Sequence, residues 1–295
     1  MSLSSDKRKR KNSSDCSGLE NFDTIWGGNV EDLFKHKFSL TVISMREKGD
    51  APVDEFGCES FVNKTLPDDE WRFHVLVAAF LSSQTKDQVT YSCMNRLIEY
   101  GLTPESINKI KIESLRELLY GVGFYNTKAK NLKEISRILL EHYSGVVPDK
   151  YEQLIRLPGI GPKMANLILQ TGFGMVVGIS VDTHMHRIFN RIGWVNTKTP
   201  VETGKAMEKR LPREYWNKIN RVFVGFGQTI CKPIGPKIGR LPFSMKKVQL
   251  TKMFKCSECA IADYCSFSSK QIRKNRDSKT KMSYEGENEE ELQQF

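Results

Sequence analysis

The sequence LPGIGPKMANL, residues 157–167, places two glycines in a tight turn between two segments with helical patterns. Glycine lets a backbone come close to a phosphate group, and a helix N-terminus presents unpaired N–H groups to an anion. The pattern therefore predicts two helices joined by a tight turn that binds a nucleic-acid backbone. A lysine lies just inside the second of these helices.

Lys163 is the most informative side chain of this stretch. Pro162 suits the first helical position, because its missing N–H would be unpaired there in any case. Lys163 then lies at the positive end of the helix dipole, which disfavours an ammonium and increases the share of neutral, nucleophilic amine. Lys163 is therefore either a surface lysine that contacts phosphate or a nucleophile held beside the backbone.

The segment SVDTH, residues 180–184, supplies a candidate partner for this lysine. Asp182 precedes a predicted helix, where it can cap the helix and face the turn. A lysine and an aspartate opposed in a DNA-binding cleft form a nucleophile and its electrostatic partner, whereas the alternative is a purely structural N-cap. His184 and His186 lack an evident third ligand, so we expect structural roles for them rather than a metal site.

The composition indicates a globular protein with a basic folded body. The 295 residues are 39% hydrophobic and 27% charged. The formal net charge is +10, of which residues 1–15 contribute +3 and residues 269–295 contribute none, so the body keeps +7. A basic body suits nucleic acid, because neutralised phosphates release counterions. No apolar run approaches the ~20 residues of a membrane span, and the N-terminus lacks the apolar region of a secretory signal, so we expect neither.

Between the termini almost every segment has the apolar period of a helix, and no convincing pattern of alternating strands appears. The sequence therefore predicts an all-α fold. Asp87 is expected to cap a helix that stops at Gly101, and Thr103 with the following proline to open the next helix. Further short helices are predicted at residues 149–156, 162–172, 183–192, 200–210 and 214–226.

The turn and the VDTH segment strongly resemble the helix-hairpin-helix DNA glycosylases, and look most like the endonuclease III branch in its eukaryotic form. The resemblance extends over roughly residues 60–265. Three further segments carry it in the same order along the chain: LSSQTKD at residues 81–87, VGFYNTKA at residues 122–129 and VGFGQ at residues 224–228. Several matching segments in order are far more specific than a single hairpin.

The resemblance implies two helical domains. A helical barrel domain with the helix-hairpin-helix motif would occupy residues 65–175. A terminal domain with an iron–sulfur cluster loop would join residues 26–64 to residues 176–268. The remaining residues, 1–25 and 269–295, are polar and charged, so we expect them to be disordered tails.

The same resemblance implies a bifunctional DNA N-glycosylase and apurinic/apyrimidinic-site lyase of base excision repair that removes oxidised pyrimidines. Lys163 would form a Schiff base with the sugar and cut the strand by β-elimination, and Asp182 would stabilise the positive charge that develops there. Related branches that only excise bases lack a lysine at this position, which favours the strand-cutting type. Gly159 and Gly161 would donate their amides to phosphate, and Gln84 would fill the gap left by the flipped nucleotide.

A cysteine cluster near the C-terminus predicts a metal site. Cys256, Cys259 and Cys265 form a Cys-x2-Cys-x5-Cys run, and Cys231 lies upstream. Four thiolates suit either zinc or a 4Fe–4S cluster, and the endonuclease III pattern ends in the same run, which favours the 4Fe–4S cluster. This chain has 24 residues between Cys231 and Cys256 where the family has six. Residues 238–254 are therefore interpreted as an insertion, which either loops out or displaces Cys231 and leaves an incomplete site.

Two other functions fit part of the sequence: a non-catalytic helix-hairpin-helix DNA-binding protein, and a glycosylase with a different base specificity. The presence of both Lys163 and Asp182 weighs against the first. The basic run Lys7–Lys11 is either a nuclear-import signal or a solvated tail, so we expect a nuclear location with a mitochondrial one as the alternative. We also expect a monomer without a membrane partner, whose ligand is double-stranded DNA with oxidised pyrimidines or abasic sites.

Overall fold

The computed structural model describes residues 38–233, 256, 259–262, 265 and 267. Every regular element in this part of the chain is a helix, which confirms the predicted all-α class. No helix of these residues is long and apolar enough to cross a membrane. The basic run Lys7–Lys11, both predicted tails and the predicted insertion at 238–254 lie outside the described residues.

The α-helices follow one another through short connections. In chain order they are α1 (Phe38–Arg46), α2 (Pro52–Phe56), α3 (Asp68–Leu81), α4 (Asp87–Tyr100), α5 (Pro104–Lys109), α6 (Ile112–Leu118), α7 (Tyr125–Tyr143), α8 (Tyr151–Leu154), α9 (Pro162–Phe173), α10 (Thr183–Arg191), α11 (Pro200–Glu208) and α12 (Trp216–Thr229). The 3-10 helices Cys58–Phe61 and Arg213–Tyr215 precede α3 and α12. The five predicted short helices correspond to α8 to α12, and α8 is shorter than predicted.

Of the helix ends predicted around residues 87–104, two are confirmed and one is wrong. Gly101 ends α4 with φ 97°, and the Thr103 hydroxyl accepts a hydrogen bond from the Ser106 amide at 3.2 Å to begin α5, as predicted. The predicted capping role of Asp87 is wrong, because Asp87 is the first residue of α4 rather than its cap. Its carboxylate instead accepts a hydrogen bond from the side chain of Gln228 at 2.7 Å, so a distant partner takes the place of the local one.

Two hydrophobic clusters form the interior of the described chain. The first joins buried residues between Phe61 and Leu169, and the second joins Val42 and Ile261 to buried residues between 179 and 226. In the second cluster the Phe189 ring lies 4.9 Å from that of Phe223, and such aromatic pairs add about 0.5–1.5 kcal/mol beyond the area they bury. The predicted division into two domains with stated boundaries stays a prediction.

The predicted helical hairpin is formed by α8, α9 and the turn between them. Leu157 and Ile160 are buried and anchor the turn in the first cluster. Gly159 has φ 83°, and a Cβ there would lie 2.9 Å from the ring of Phe80. Only glycine satisfies both conditions without strain. The turn therefore packs tightly on α3, while its outer side leads directly into the N-terminus of α9.

Candidate active site

A cavity of about 580 Å³ opens between the two hydrophobic clusters. Lys163 and Gln84 line it from elements of the first cluster, and Asp182, His184 and Asn220 line it from elements of the second. The structure thus brings the predicted nucleophile, its predicted electrostatic partner and the predicted gap-filling residue to one site. Residues more than 90 positions apart in sequence meet there.

Lys163 is the second residue of α9 and is half-buried. Among the residues that the structure describes, no carboxylate forms an ion pair with its amine. The side chain also borders a second cavity, of about 590 Å³, on the other side of the α9 N-terminus. A lysine that contributes to two open cavities and holds no counter-ion is accessible to a ligand from either side.

The glycine amides of the hairpin turn suit an anion. Within the described residues, the N–H groups of Gly159 and Gly161 donate to no protein acceptor. Gly161 is the N-cap residue of α9, and the space where its Cβ would lie is open. Unpaired amides at the start of a helix form a ready anion site, since the dipole and the donors act together.

Asp182 is an N-cap and also lines the cavity. It is the N-cap of α10, and its Oδ1 accepts a hydrogen bond from the Met185 amide at 2.8 Å. The same side chain lines the cavity opposite Lys163. The cap bond fixes the direction of the carboxylate, so structural and electrostatic roles are compatible in this residue.

The two histidines that follow Asp182 are partly buried and hydrogen-bonded. Burial lowers the pKa of His184, against the opposing attraction of Asp182. The Nδ1 of His184 accepts a hydrogen bond from Arg187 at 3.1 Å, and the Nδ1 of His186 lies 2.7 Å from the Thr203 hydroxyl.

Gln228 is a site residue that the sequence reasoning missed. Its Nε2 donates to the Asp87 carboxylate at 2.7 Å, and its Oε1 accepts from the Val53 amide at 3.0 Å. All three residues line the cavity. Gln228 therefore ties α12 to α4 and to α2 across the site. The only sequence signal was a single polar side chain at the end of the apolar segment VGFGQ.

Cys58 also lines the cavity. Burial raises the pKa of its thiol to about 11, and the Sγ lies 3.8 Å from the Thr171 hydroxyl. The thiol is therefore neutral near pH 7, since the thiolate is the reactive form. Its nearness to the amine of Lys163 does not make it a second nucleophile.

The four cysteines of the predicted cluster lie around one small cavity. Cys231, Cys256, Cys259 and Cys265 line a space of about 30 Å³, all as free thiols. Among the described residues, no group of three or more His, Cys, Asp or Glu side chains is arranged to hold a metal ion. A single zinc ion would draw four sulfurs to about 2.3 Å from one point, whereas an iron–sulfur cluster is larger. Four thiols around one cavity are a donor set that either group could use.

Comparison with known proteins agrees with this fold. The family model described as the HhH-GPD superfamily base excision DNA repair protein matches residues 77–213. Endonuclease III homolog 1, chloroplastic, of Arabidopsis thaliana is 50% identical over 201 residues, which are 65% of this chain and 53% of that protein. Endonuclease III-like protein 1 of Gallus gallus is 42% identical over 223 residues, which are 75% of this chain and 73% of that protein. The chain thus spans about half the length of the Arabidopsis relative.

A solved structure of a trapped endonuclease III–DNA covalent intermediate is similar in fold. Its TM-score is 0.59 at 26% identity, and the match covers 79% of this chain and 99% of that chain. The fold and the family-model match are those of the HhH-GPD superfamily of helix-hairpin-helix proteins. Within that class, the identity to its relatives shows that the chain belongs to the endonuclease III family.

Proposed function

We propose that this protein is a bifunctional DNA N-glycosylase and abasic-site lyase that acts on oxidised pyrimidines in double-stranded DNA. The cavity shared by Lys163 and Asp182 carries the proposal, because it holds an amine and a carboxylate supplied by separate hydrophobic clusters. The names of the relatives, which are endonuclease III proteins, support the same activity.

Lys163 is the proposed nucleophile. Its neutral amine attacks C1′ of the damaged nucleotide, and the bond between C1′ and the base breaks with its electron pair leaving on the base. Loss of a proton from the nitrogen and opening of the sugar ring give a Schiff base. Removal of a C2′ proton then expels the 3′ phosphate by β-elimination, and water hydrolyses the Schiff base to regenerate the amine.

Asp182 is the proposed electrostatic partner of that step. Positive charge develops on the sugar as the base departs, and a fixed carboxylate stabilises it without having to reorganise. The cap bond from the Met185 amide holds one oxygen, so the second oxygen is available to the substrate. The same carboxylate assists the proton transfers, a contribution that is typically worth ~10²–10⁴-fold in rate.

The dimensions and donors around the cavity suit an extruded nucleotide. Base extrusion costs a few kcal/mol, so the protein must replace the contacts that the nucleotide loses. At about 580 Å³ the cavity lies within the range of small-molecule pockets, ~300–1,000 Å³. The amides of Gly159 and Gly161 would bind phosphate, and Gln84 would fill the gap in the duplex.

Cys231, Cys256, Cys259 and Cys265 would hold a 4Fe–4S cluster, which when bound supplies a rigid link between distant parts of the chain. The chain's own contacts connect this region to the cavity. Arg191 Nη1 donates to the Cys231 sulfur at 3.3 Å, and Arg191 is the last residue of α10, which Asp182 caps at its other end. A bound cluster that orders the cysteine region would therefore help to hold the Asp182 carboxylate in place.

The cellular location that we propose is the nucleus, with organelles as the alternative. The basic run Lys7–Lys11 supports import into the nucleus. The Arabidopsis relative is described as chloroplastic, which shows that the family also includes an organellar form. We propose that the protein acts there as a monomer on duplex DNA.

A strand-cleavage assay on a duplex with one thymine glycol tests the proposal. Wild-type protein should nick the labelled strand at the lesion, and Lys163→Ala should lower the rate by on the order of 10³-fold or more while keeping most DNA affinity. Lys205→Ala is the matched control, because Lys205 lines only the neighbouring 590 Å³ cavity and should alter affinity without stopping cleavage. Equal losses of binding and cleavage in Lys163→Ala would contradict the assignment.

A further inference from the structure

The turn between α3 and α4 presents Gln84 in an unusual backbone conformation. Gln84 is exposed at the edge of the cavity and has φ 51°, in the left-handed region that L side chains rarely adopt. A residue in this region persists only where the surrounding structure determines it. The turn must therefore be held by contacts on both sides of Gln84.

Lys128 supplies the contacts on the inner side. Only 5% of this residue is exposed, which is rare for a lysine without partners. Its Nζ donates to the carbonyl of Leu81 at 2.8 Å, to the carbonyl of Ser83 at 2.6 Å and to the hydroxyl of Thr85 at 3.2 Å. Ser83 and Thr85 are the two neighbours of Gln84, so one ammonium binds the chain immediately before and after it.

Gly123 closes the turn from the other side. Its amide donates to the Thr85 hydroxyl at 3.1 Å, and a Cβ at this position would lie 2.4 Å from the Gln84 carbonyl oxygen. Both Gly123 and Lys128 belong to the segment VGFYNTKA at residues 122–129. The backbone of Gln84 is therefore confined between the start of α7 and the end of α3.

We propose that Lys128 is a positioning residue for Gln84. The ammonium of Lys128 fixes the turn, so that Gln84 already has the backbone conformation in which it enters the gap in the duplex. This inference rests on the proposed function, because the gap-filling role of Gln84 belongs to it. Lys128 does not line the cavity, so it acts through the turn and not on the substrate. Burial lowers the pKa of Lys128 to about 8, and the carbonyls at the C-terminal end of α3 compensate the remaining charge.

Lys133 on the same helix provides a matched control. Its Nζ donates to the carbonyls of Ile107, Asn108 and Ile110 at the C-terminal end of α5. Both lysines therefore donate hydrogen bonds to carbonyls at the C-terminal end of a helix, and only Lys128 does so beside Gln84. Lys128→Met and Lys133→Met should both destabilise the fold, whereas only Lys128→Met should change how the protein engages DNA.

The experiment uses the full chain and a duplex in which a tetrahydrofuran abasic analogue lies opposite 2-aminopurine. The fluorescence of 2-aminopurine, which is the base left without a partner, reports its unstacking. Because this duplex cannot form a Schiff base, the signal is independent of Lys163 chemistry. Lys128→Met should lower the equilibrium constant for the unstacked state by about tenfold, within the range for coupled residues, and Lys133→Met should leave it unchanged. In a Gln84→Ala background, Lys128→Met should have no further effect.

Each other outcome overturns the inference in a recognisable way. If Gln84→Ala alone equals wild type, the gap-filling role falls and the inference falls with it. If Gln84→Ala is defective but Lys128→Met equals wild type, only the inference falls. Equal effects of Lys128→Met in both backgrounds would also contradict it, because they would mean that the lysine acts independently of Gln84.

A second pair of variants keeps the test decisive if Lys128→Met does not fold. Thr85→Val removes the hydroxyl that accepts from both Lys128 and Gly123, and Thr85→Ser keeps it. The inference predicts a smaller unstacking constant for Thr85→Val and the wild-type value for Thr85→Ser. The same value for both variants would contradict it.

Discussion

The two walls of the cavity are built in different ways. On the first wall, a glycine turn places Lys163 at the start of α9, and Gln84 lies in a left-handed turn after α3 that the segment at residues 122–129 holds. On the second wall, a local cap bond holds Asp182 at the start of α10, and the far end of the same helix reaches the cysteine region. Gln228 joins the two walls.

The two walls hold the two proposed reactive groups, Lys163 and Asp182, apart from each other. Lys163 and Asp182 form no ion pair within the described residues, because each is anchored in its own hydrophobic cluster. A direct ion pair would hold the amine as an ammonium and remove the nucleophile. We therefore expect changes in the first wall to act on chemistry and changes in the second wall to act on chemistry and stability together.

The largest expected effect is the loss of a cysteine ligand beside the second wall. Cys259→Ala should lower the free energy of unfolding by more than about 4 kcal/mol, because a structural site is lost, and should remove iron and acid-labile sulfide from protein purified without oxygen. Cys93→Ala is the control on the first wall, since Cys93 is fully buried away from the cavity and should keep the iron. Wild-type protein that contains zinc or no metal would contradict the cluster assignment.

The next effect separates charge from structure at Asp182. Asparagine is as good an N-cap as aspartate, so Asp182→Asn should keep the fold and lower the cleavage rate by ~10²-fold or more. Asp182→Ala should in addition lower the free energy of unfolding by about 1 kcal/mol, because the cap to the Met185 amide is lost. Urea unfolding and single-turnover cleavage measure the two quantities. Full activity in Asp182→Asn would mean that Asp182 serves only as the helix cap.

Gln228→Ala tests the link between the walls. The change leaves the Val53 amide and the Asp87 carboxylate without this partner, so it should cost about 1–3 kcal/mol of stability and raise KM for damaged duplex. Gln170→Ala is the matched control, because Gln170 also reaches α12, donating to the Asn217 carbonyl at 2.9 Å, but lies outside the cavity. Identical kinetics for the two variants would show that the link is structural only.

The smallest expected effect is a loss of folding stability at acid pH, which arises at His74 in the first hydrophobic cluster. Burial lowers the pKa of His74 below its ordinary 6.5, while its Nε2 lies 3.1 Å from the Leu102 carbonyl. The unfolded chain therefore binds a proton at His74 more readily than the folded chain does. The stability that neutral His74 contributes is complete above pH 6.5 and is lost as the pH falls through the lowered pKa. His74→Gln should lose less stability than wild type between about pH 7.5 and about pH 5, as urea titrations would show. Equal losses of stability in wild type and His74→Gln would contradict this role of His74.

Local signals predicted the first wall well and the second wall in part. The glycines of LPGIGPK, the proline before Lys163 and the extended N-cap at Asp182 each depend on a few neighbouring residues, and the structure has all three. The prediction for Asp87 was wrong because a side chain 141 positions away, that of Gln228, outcompetes the local cap.

Lys128 and Gln228 could not be predicted for the same reason. Lys128 has the sequence appearance of an ordinary polar residue near the start of a helix, and its burial becomes visible only when the end of α3 lies across it. The cysteines show the opposite case, since spacing alone grouped Cys256, Cys259 and Cys265, and the fold then brought Cys231 to the same cavity.

Covalent trapping tests the central claim most directly. Wild-type protein, Lys163→Ala and Lys205→Ala should each be incubated with an abasic-site duplex and borohydride, and any protein–DNA adduct digested and sequenced by mass spectrometry. The account predicts an adduct with wild type and Lys205→Ala, attached at Lys163, and no adduct with Lys163→Ala. An adduct mapped to another residue, or none from wild-type protein that binds the duplex, would contradict Schiff-base chemistry at Lys163.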